Sequence, residues 1–83
     1  MNDDKKIFSE VQSIVRKVIN DKKIIIKMES IASEIEGWDS LAHIRILVSI
    51  EKLYSIKFNL SEMQNVKDIS EFVKLIKQKI NKT

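Results

Sequence analysis

Apolar residues recur at helical spacing in three separate parts of the chain. In each part, large aliphatic and aromatic side chains stand three or four residues apart, the spacing that aligns them along one face of an α-helix. We therefore predict three main helices, over about Lys5 to Ile19, from Ser40 to Tyr54 and from Ile69 to Ile80. Isolated helices of this length are marginal in water, so packing of these faces against one another must stabilise them.

Polar residues that commonly begin helices precede these runs. They are Asp3 or Asp4 for the first helix, Ser40 at the N-cap of the second, and Asp68 with Glu71, a capping-box pair, for the last. Ser61 followed by Gln64 is another capping-box pattern, and it predicts one short helix near Ser61 to Asn65.

The segment from Asn20 to Asp39 is long for a connection inside a small domain. It is rich in isoleucine, so we expect it to pack on the core as an anchored loop, with a helical turn near Ser30 to Glu34. Ile24 to Ile26 could form a short strand, but no obvious segment could pair with it.

The predicted fold class is therefore all-α, a helical bundle of three main helices plus one short helix, with a long loop between the first two. One glycine and no proline agree with helices rather than a turn-rich β fold. The expected core comprises Phe8, Val11, Val15, Ile44, Leu47, Ile50, Val66, Ile69, Phe72 and Ile76.

Length and composition exclude several classes of protein. A chain of 83 residues is one domain, here residues 1–83. It has no cysteine and a single histidine, His43, so we expect no disulfide and no metal site. No segment is long and apolar enough to span a membrane, and the acidic start does not resemble a signal peptide. We expect a soluble, cytoplasmic monomer.

The net charge of +3 leaves two alternative functions open. A small basic helical domain could bind nucleic acid. A plain protein-interaction bundle with no modification would also satisfy the helical pattern. Lysines and acids interleave along the chain without an arginine-rich or aromatic-studded stripe, which favours solvated helix faces and no nucleic acid partner.

The sequence Gly37-Trp38-Asp39-Ser40-Leu41 lies where the long loop becomes the second helix. In the simplest interpretation Ser40 caps that helix and Asp39 sits near its positive end. A phosphate on Ser40 would also be well placed there. A Ser–His–Asp triad with His43 and Asp39 would need awkward geometry at a helix start, so we predict no catalytic residue and no enzyme. We expect His43 on the surface and Trp38 as a core or loop anchor.

With this motif in its setting, the chain resembles the acyl carrier protein family, including its peptidyl and D-alanyl carrier relatives. From Asp39 to Ile76 the sequence aligns with the family pattern without a gap. The resemblance implies an acyl-carrier-like bundle in which Ser40 is esterified by 4'-phosphopantetheine, transferred from coenzyme A by a phosphopantetheinyl transferase. It also implies that Asp39 supports recognition by that enzyme and that Leu41 is a docking contact.

The resemblance further implies that the chain carries an acyl or aminoacyl group as a thioester and presents it to loading and transferring enzymes. Met63 and Val66 would lie near a cavity for the acyl chain. Phe72 stands where many fatty-acid carriers have a small residue, which predicts a short acyl or aminoacyl cargo.

Several positions depart from fatty-acid carriers, which are usually strongly acidic. The second helix carries Arg45 and Lys52, with Glu51 as its main acid, and its exposed apolar residues should include Val48 and either Ile46 or Leu53. The acids lie instead in the preceding loop, at Glu29, Glu34, Glu36 and Asp39. These departures favour a specialised pathway and a partner with a neutral-to-acidic or apolar docking face.

Overall fold

The computed structural model of the protein describes residues 2–81 and contains four α-helices in the predicted order. They are α1 (Asn2–Ile19), α2 (Ser40–Tyr54), α3 (Leu60–Asn65) and α4 (Ile69–Ile80), with a short 3₁₀-helix over Ala32–Glu34 inside the long loop. The all-α prediction and the turn near Ser30 to Glu34 are confirmed. Within residues 2–81, β pairing is limited to one isolated antiparallel bridge, and Ile24 to Ile26 form no strand.

The first helix begins at Asn2, three residues earlier than the predicted start at Lys5. Asp3 and Asp4 occupy the first turn of α1, where negative charge complements the helix dipole, rather than capping it. The Asp4 carboxylate also forms a 2.9 Å ion pair with the Lys77 ammonium group on α4. The hydrogen bond that Lys77 donates in this pair holds the pKa of the Asp4 carboxyl below its usual value.

The core lies where α1 packs against both α2 and α4. Its fully buried large side chains are Val11, Val15, Ile46, Leu47, Ile50, Ile69, Phe72, Val73 and Ile76. Most of the predicted core is confirmed, with Phe8 half-buried against it. The prediction for Ile44 is wrong: that side chain is 53% exposed, whereas Ile46 is fully buried.

Side-chain caps fix the starts of the last three helices. The capping box of Asp68 and Glu71 is confirmed, and the hydrogen bonds that Asp68 accepts from the Ser70 hydroxyl and the Glu71 amide lower its pKa. The short helix is present, but its predicted box is wrong. Asn59 caps α3 and pairs with Glu62, because this pair lies at the actual turn into the helix, two residues before Ser61.

The long loop is anchored at both sides by hydrogen bonds to neighbouring helices. On α1, the Gln12 amide donates to the Ile26 carbonyl at 3.2 Å and Arg16 Nε donates to the Ile24 carbonyl at 3.0 Å. Ile26 itself is buried. Near α4, the bridge between Ile31 and Asp68 closes the other side. The expectation of an anchored loop is confirmed, and these anchors set where the chain enters α2.

Two isoleucines on α2 provide a matched test of the core. Ile46→Ala should lower the free energy of unfolding by about 2–5 kcal/mol, since it leaves a cavity among buried side chains. Ile44→Ala, the same change on an exposed face of the same helix, should stay within about 0.5 kcal/mol of wild type. Urea denaturation measures both, and similar losses in the two variants would contradict the assigned core face.

Candidate functional site

The chain approaches α2 through a turn that only glycine fits well. Gly37 has a φ of +90°, a backbone conformation that residues with a side chain rarely adopt. A β-carbon at this position would lie 2.9 Å from Ile19 Cγ2 at the end of α1, closer than real contacts allow. Gly37 therefore lets the loop press against α1 just before the candidate site.

Asp39 is the N-cap of α2, and this corrects the prediction that Ser40 is the cap. Its backbone is extended, and its carboxylate accepts a hydrogen bond from the Ala42 amide at 2.8 Å. Its carbonyl accepts the first helical bond, from the His43 amide at 2.9 Å. Asp39 is the cap because its carboxylate reaches the amide of Ala42, three residues ahead. Ser40 is therefore the first residue of the helix.

Ser40 and Leu41 project into solvent from the first turn of α2. Both side chains are exposed, with Leu41 at 58%. The amides of the first turn have no partner within a helix, and together they carry the positive end of the helix dipole. The Ser40 hydroxyl is thus accessible and lies in a region that favours an attached anionic group.

His43 is half-buried and bonded to two neighbours, so the expectation of a surface histidine is wrong. Trp38 Nε1 donates to His43 Nδ1 at 3.1 Å, and His43 Nε2 donates to the Met63 carbonyl at 2.8 Å. Because both ring nitrogens are engaged by these partners, His43 does not serve as a general base for Ser40. The expectation that Trp38 anchors the loop in the core is confirmed, as its side chain is only 8% exposed.

An open groove runs beside Ser40 between the 3₁₀-helix, the start of α2 and α3. It is lined by Ala32, Ser33, Trp38, Asp39, Ser40, His43, Ile44, Leu60, Met63 and Gln64. Its walls are largely apolar, with hydroxyl and amide groups among them. A flexible chain attached to Ser40 could lie along this groove and keep its polar groups solvated.

An exposed face of α2 combines apolar and basic side chains. Leu41, Ile44 and Val48 stand at helical spacing and are all exposed, and Arg45 and Lys52 are exposed on the same helix. We call these five residues the α2 face. They present no acid, so this surface is apolar with positive charge.

The structure also shows which other side chains on and before α2 face solvent. Leu53 is exposed and Ile46 is buried, which decides between the two candidates for an exposed apolar residue. The Glu51 carboxylate accepts the Phe58 amide at 2.8 Å, so its charge supports the turn after α2. The acids of the preceding loop, including Glu34 and Glu36, are exposed.

Between residues 2 and 81, no three His, Cys, Asp or Glu side chains form a group that could hold a metal ion. No helix in that part of the chain is both long enough and apolar enough to cross a membrane.

Comparisons with known proteins relate this arrangement of four helices to carrier proteins. The chain is 30% identical over 70 residues to the acyl carrier protein of Phytoplasma mali, an alignment that covers 81% of this chain and 83% of that protein. No protein-family model matches. A solution NMR structure of the holo acyl carrier protein from Geobacter metallireducens is similar, with a TM-score of 0.79, 36% sequence identity, and coverage of 88% of this chain and 84% of that one.

The chain belongs to the acyl carrier protein family. This membership favours a carrier function over the nucleic-acid-binding and interaction-bundle alternatives. The structure brings Asp39, Ser40 and Leu41 together at the start of α2, as expected from the sequence, whereas the hydrogen bonds of His43 were not predicted. In the sequence, the one hint of the hydrogen bond between Trp38 and His43 is that the single tryptophan and the single histidine are five residues apart.

The cap at Asp39 yields a stability prediction. Asp39→Ala removes the acceptor for the Ala42 amide and should lower the free energy of unfolding by about 0.5–2 kcal/mol. Asp39→Asn keeps an acceptor oxygen at the same place and should retain most of the stability. Thermal and urea melts of the two variants measure this difference. An Asp39→Ala protein as stable as wild type would show that the cap does not hold the start of α2.

Proposed function

We propose that this protein is an acyl or aminoacyl carrier whose Ser40 bears a 4'-phosphopantetheine arm, with residues 1–83 acting as one carrier domain. The observation that carries the proposal is the exposed Ser40 hydroxyl in the first turn of α2, directly after the capping Asp39, in a chain of the acyl carrier protein family. The holo state named for the Geobacter protein supports the same cofactor here.

The residues around Ser40 fit this group physically. A phosphodiester at Ser40 would lie at the positive end of a fifteen-residue helix, beside the amides of Ser40 and Leu41, which have no acceptor within the helix. The open groove offers an apolar wall along which a flexible chain can lie. When bound, the arm supplies the thiol that this cysteine-free chain lacks.

Each neighbouring residue has a distinct role in this proposal. Asp39 fixes the start of α2, and its exposed carboxylate contacts the phosphopantetheinyl transferase. Leu41, exposed beside the attachment point, gives that enzyme and later partners an apolar contact. His43 is held by Trp38 and Met63 and takes no part in chemistry, so the chain tethers and presents its cargo without catalysing a reaction.

The charge of the α2 face determines which partners fit. Arg45 and Lys52 would meet like charge on a strongly basic enzyme, which lowers the association rate and the specificity. We propose that the loading and transferring enzymes of this carrier present a neutral-to-acidic or apolar surface to α2. Basic contacts would then be limited to the loop acids Glu36 and Asp39. Such a surface favours a specialised biosynthetic pathway over general fatty-acid synthesis.

Attachment at Ser40 is tested by intact mass. Incubation with coenzyme A and a broad-specificity phosphopantetheinyl transferase should add one phosphopantetheine to the wild type and none to Ser40→Ala. Ser33→Ala is the matched control, because Ser33 is an exposed serine on the same groove and its removal should leave loading intact.

Two results would count against this assignment. One is an unmodified wild type under conditions that load an established carrier. The other is a Ser40→Ala protein that still gains the mass of the arm. Circular dichroism of each variant shows that the fold is retained before loading is compared.

Docking at the α2 face is tested by charge reversal. Arg45→Glu and Lys52→Glu should slow loading by the natural partner and improve loading by a fatty-acid-type enzyme with a basic docking surface. Each effect should be modest and should shrink at high salt, because exposed charges mainly tune association. Lys74→Glu, the same change of net charge on α4, is the control and should alter neither rate. Faster loading by the natural partner in both variants would exclude the α2 face as its docking surface.

A further inference from the structure

Three structural elements meet at two hydrogen bonds immediately behind Ser40. Trp38 at the end of the loop donates to His43 on α2, and His43 donates to the carbonyl of Met63 on α3. An indole nitrogen only donates and a carbonyl only accepts, so the two hydrogen bonds together require Nδ1 to accept and Nε2 to carry the proton that it donates. We call this pair of hydrogen bonds the Trp38–His43–Met63 bridge.

The bridge rests on an aromatic side chain from the fourth helix. Phe72 is fully buried, and its ring centroid lies 5.6 Å from that of Trp38 and 5.9 Å from that of His43. The His43 ring meets Phe72 edge-on, a favourable arrangement for two rings. Together these three rings fill the space where the loop, α2, α3 and α4 converge.

A cargo tethered to Ser40 therefore has two places to go. It can stay in the open groove, which is lined in part by Trp38, His43 and Met63, or it can enter the core behind these three side chains. The second route runs through the bridge. It requires displacing a tryptophan that is 8% exposed and breaking hydrogen bonds whose donors would then be left unpaired in an apolar region.

We propose that Trp38 and His43 determine cargo specificity by closing the interior, so that the carrier holds short acyl or aminoacyl groups in the open groove. This inference rests on the proposed function, since it presupposes an arm on Ser40. A long alkyl chain gains free energy in proportion to the apolar area that it removes from water. With the interior closed, that gain is largely lost, whereas a short or charged group loses nothing by remaining solvated.

The Trp38–His43–Met63 bridge can be observed directly by spectroscopy. Trp38 is the only tryptophan and His43 is the only histidine of the chain, so indole fluorescence and the imidazole nitrogen signals each come from one residue. Before any cargo is attached, nitrogen NMR should find His43 Nδ1 without a proton and Nε2 with one. A Nδ1-protonated or rapidly exchanging ring would overturn the bridge.

The specificity claim is tested by a series of acyl groups on the holo protein. Wild type, Trp38→Phe and His43→Ala are loaded with acetyl, hexanoyl or dodecanoyl phosphopantetheine, and the loading is verified by intact mass. Thermal midpoint is then followed for every species, with Trp38 fluorescence as a second signal where the tryptophan is present. Tyr54→Phe is the control, because it removes one hydrogen-bonding hydroxyl at the opposite end of α2.

In wild type and Tyr54→Phe we expect no rise in thermal midpoint with chain length and no shift in Trp38 emission. In Trp38→Phe and His43→Ala the midpoint of the acetylated protein should be lower, and it should rise with chain length as the opened interior accepts the alkyl chain. A thermal midpoint of wild type that rises with chain length would overturn the inference. Midpoints of Trp38→Phe and His43→Ala that do not rise with chain length would overturn it as well. Failure to gain the arm at all would instead overturn the proposed function, and intact mass separates the two cases.

Discussion

The hydrogen bond between the Ala42 amide and the Asp39 carboxylate sets the residue at which α2 begins, and the candidate site depends on it. With Asp39 as the cap, Ser40 becomes the first helical residue and projects into solvent. On the other side of the cap, the preceding residue, Trp38, turns into the core. A start one residue later would change which side chains face solvent, so the cap couples the burial of Trp38 to the exposure of Ser40.

This geometry is maintained by the long loop, which is ordered without regular secondary structure. Its middle is tied to α1 through the carbonyls of Ile24 and Ile26, and its later part is paired with the start of α4. Gly37 then permits the close approach to α1 that no other residue would tolerate without strain. Contacts distant from Ser40 in sequence thus help to determine where α2 begins and hold the exposed Ser40 hydroxyl in place.

Helical periodicity was sufficient to predict the three main helices, their order and their approximate bounds, because three long amphipathic runs leave few alternative folds. The short α3 was predicted instead from a capping pattern, which the structure places two residues earlier, at Asn59 and Glu62. Periodicity could not identify the buried face of α2, since apolar residues lie on two sides of that helix. Leu41, Ile44 and Val48 have the spacing of a core face, yet they are exposed, and Ile46 is buried instead. Sequence spacing alone does not distinguish such an exposed apolar face from a core face.

The site was predictable to the extent that it is local in sequence. The position of Asp39, Ser40 and Leu41 before an apolar run predicted the start of α2, and their site roles came from the family resemblance. The cap was assigned one residue too late, because serine and aspartate are both good caps. The role of His43 depends on Met63, twenty residues away, and no periodic pattern encodes that contact.

The central claim is that Ser40 is the attachment point of the arm, and peptide mapping of the holo protein by tandem mass spectrometry tests it most directly. We expect the phosphopantetheine on the peptide that contains Trp38 and Asp39, with fragment ions that assign it to Ser40. A fully loaded protein whose arm maps to another residue, such as Ser33 or Ser61, would contradict it.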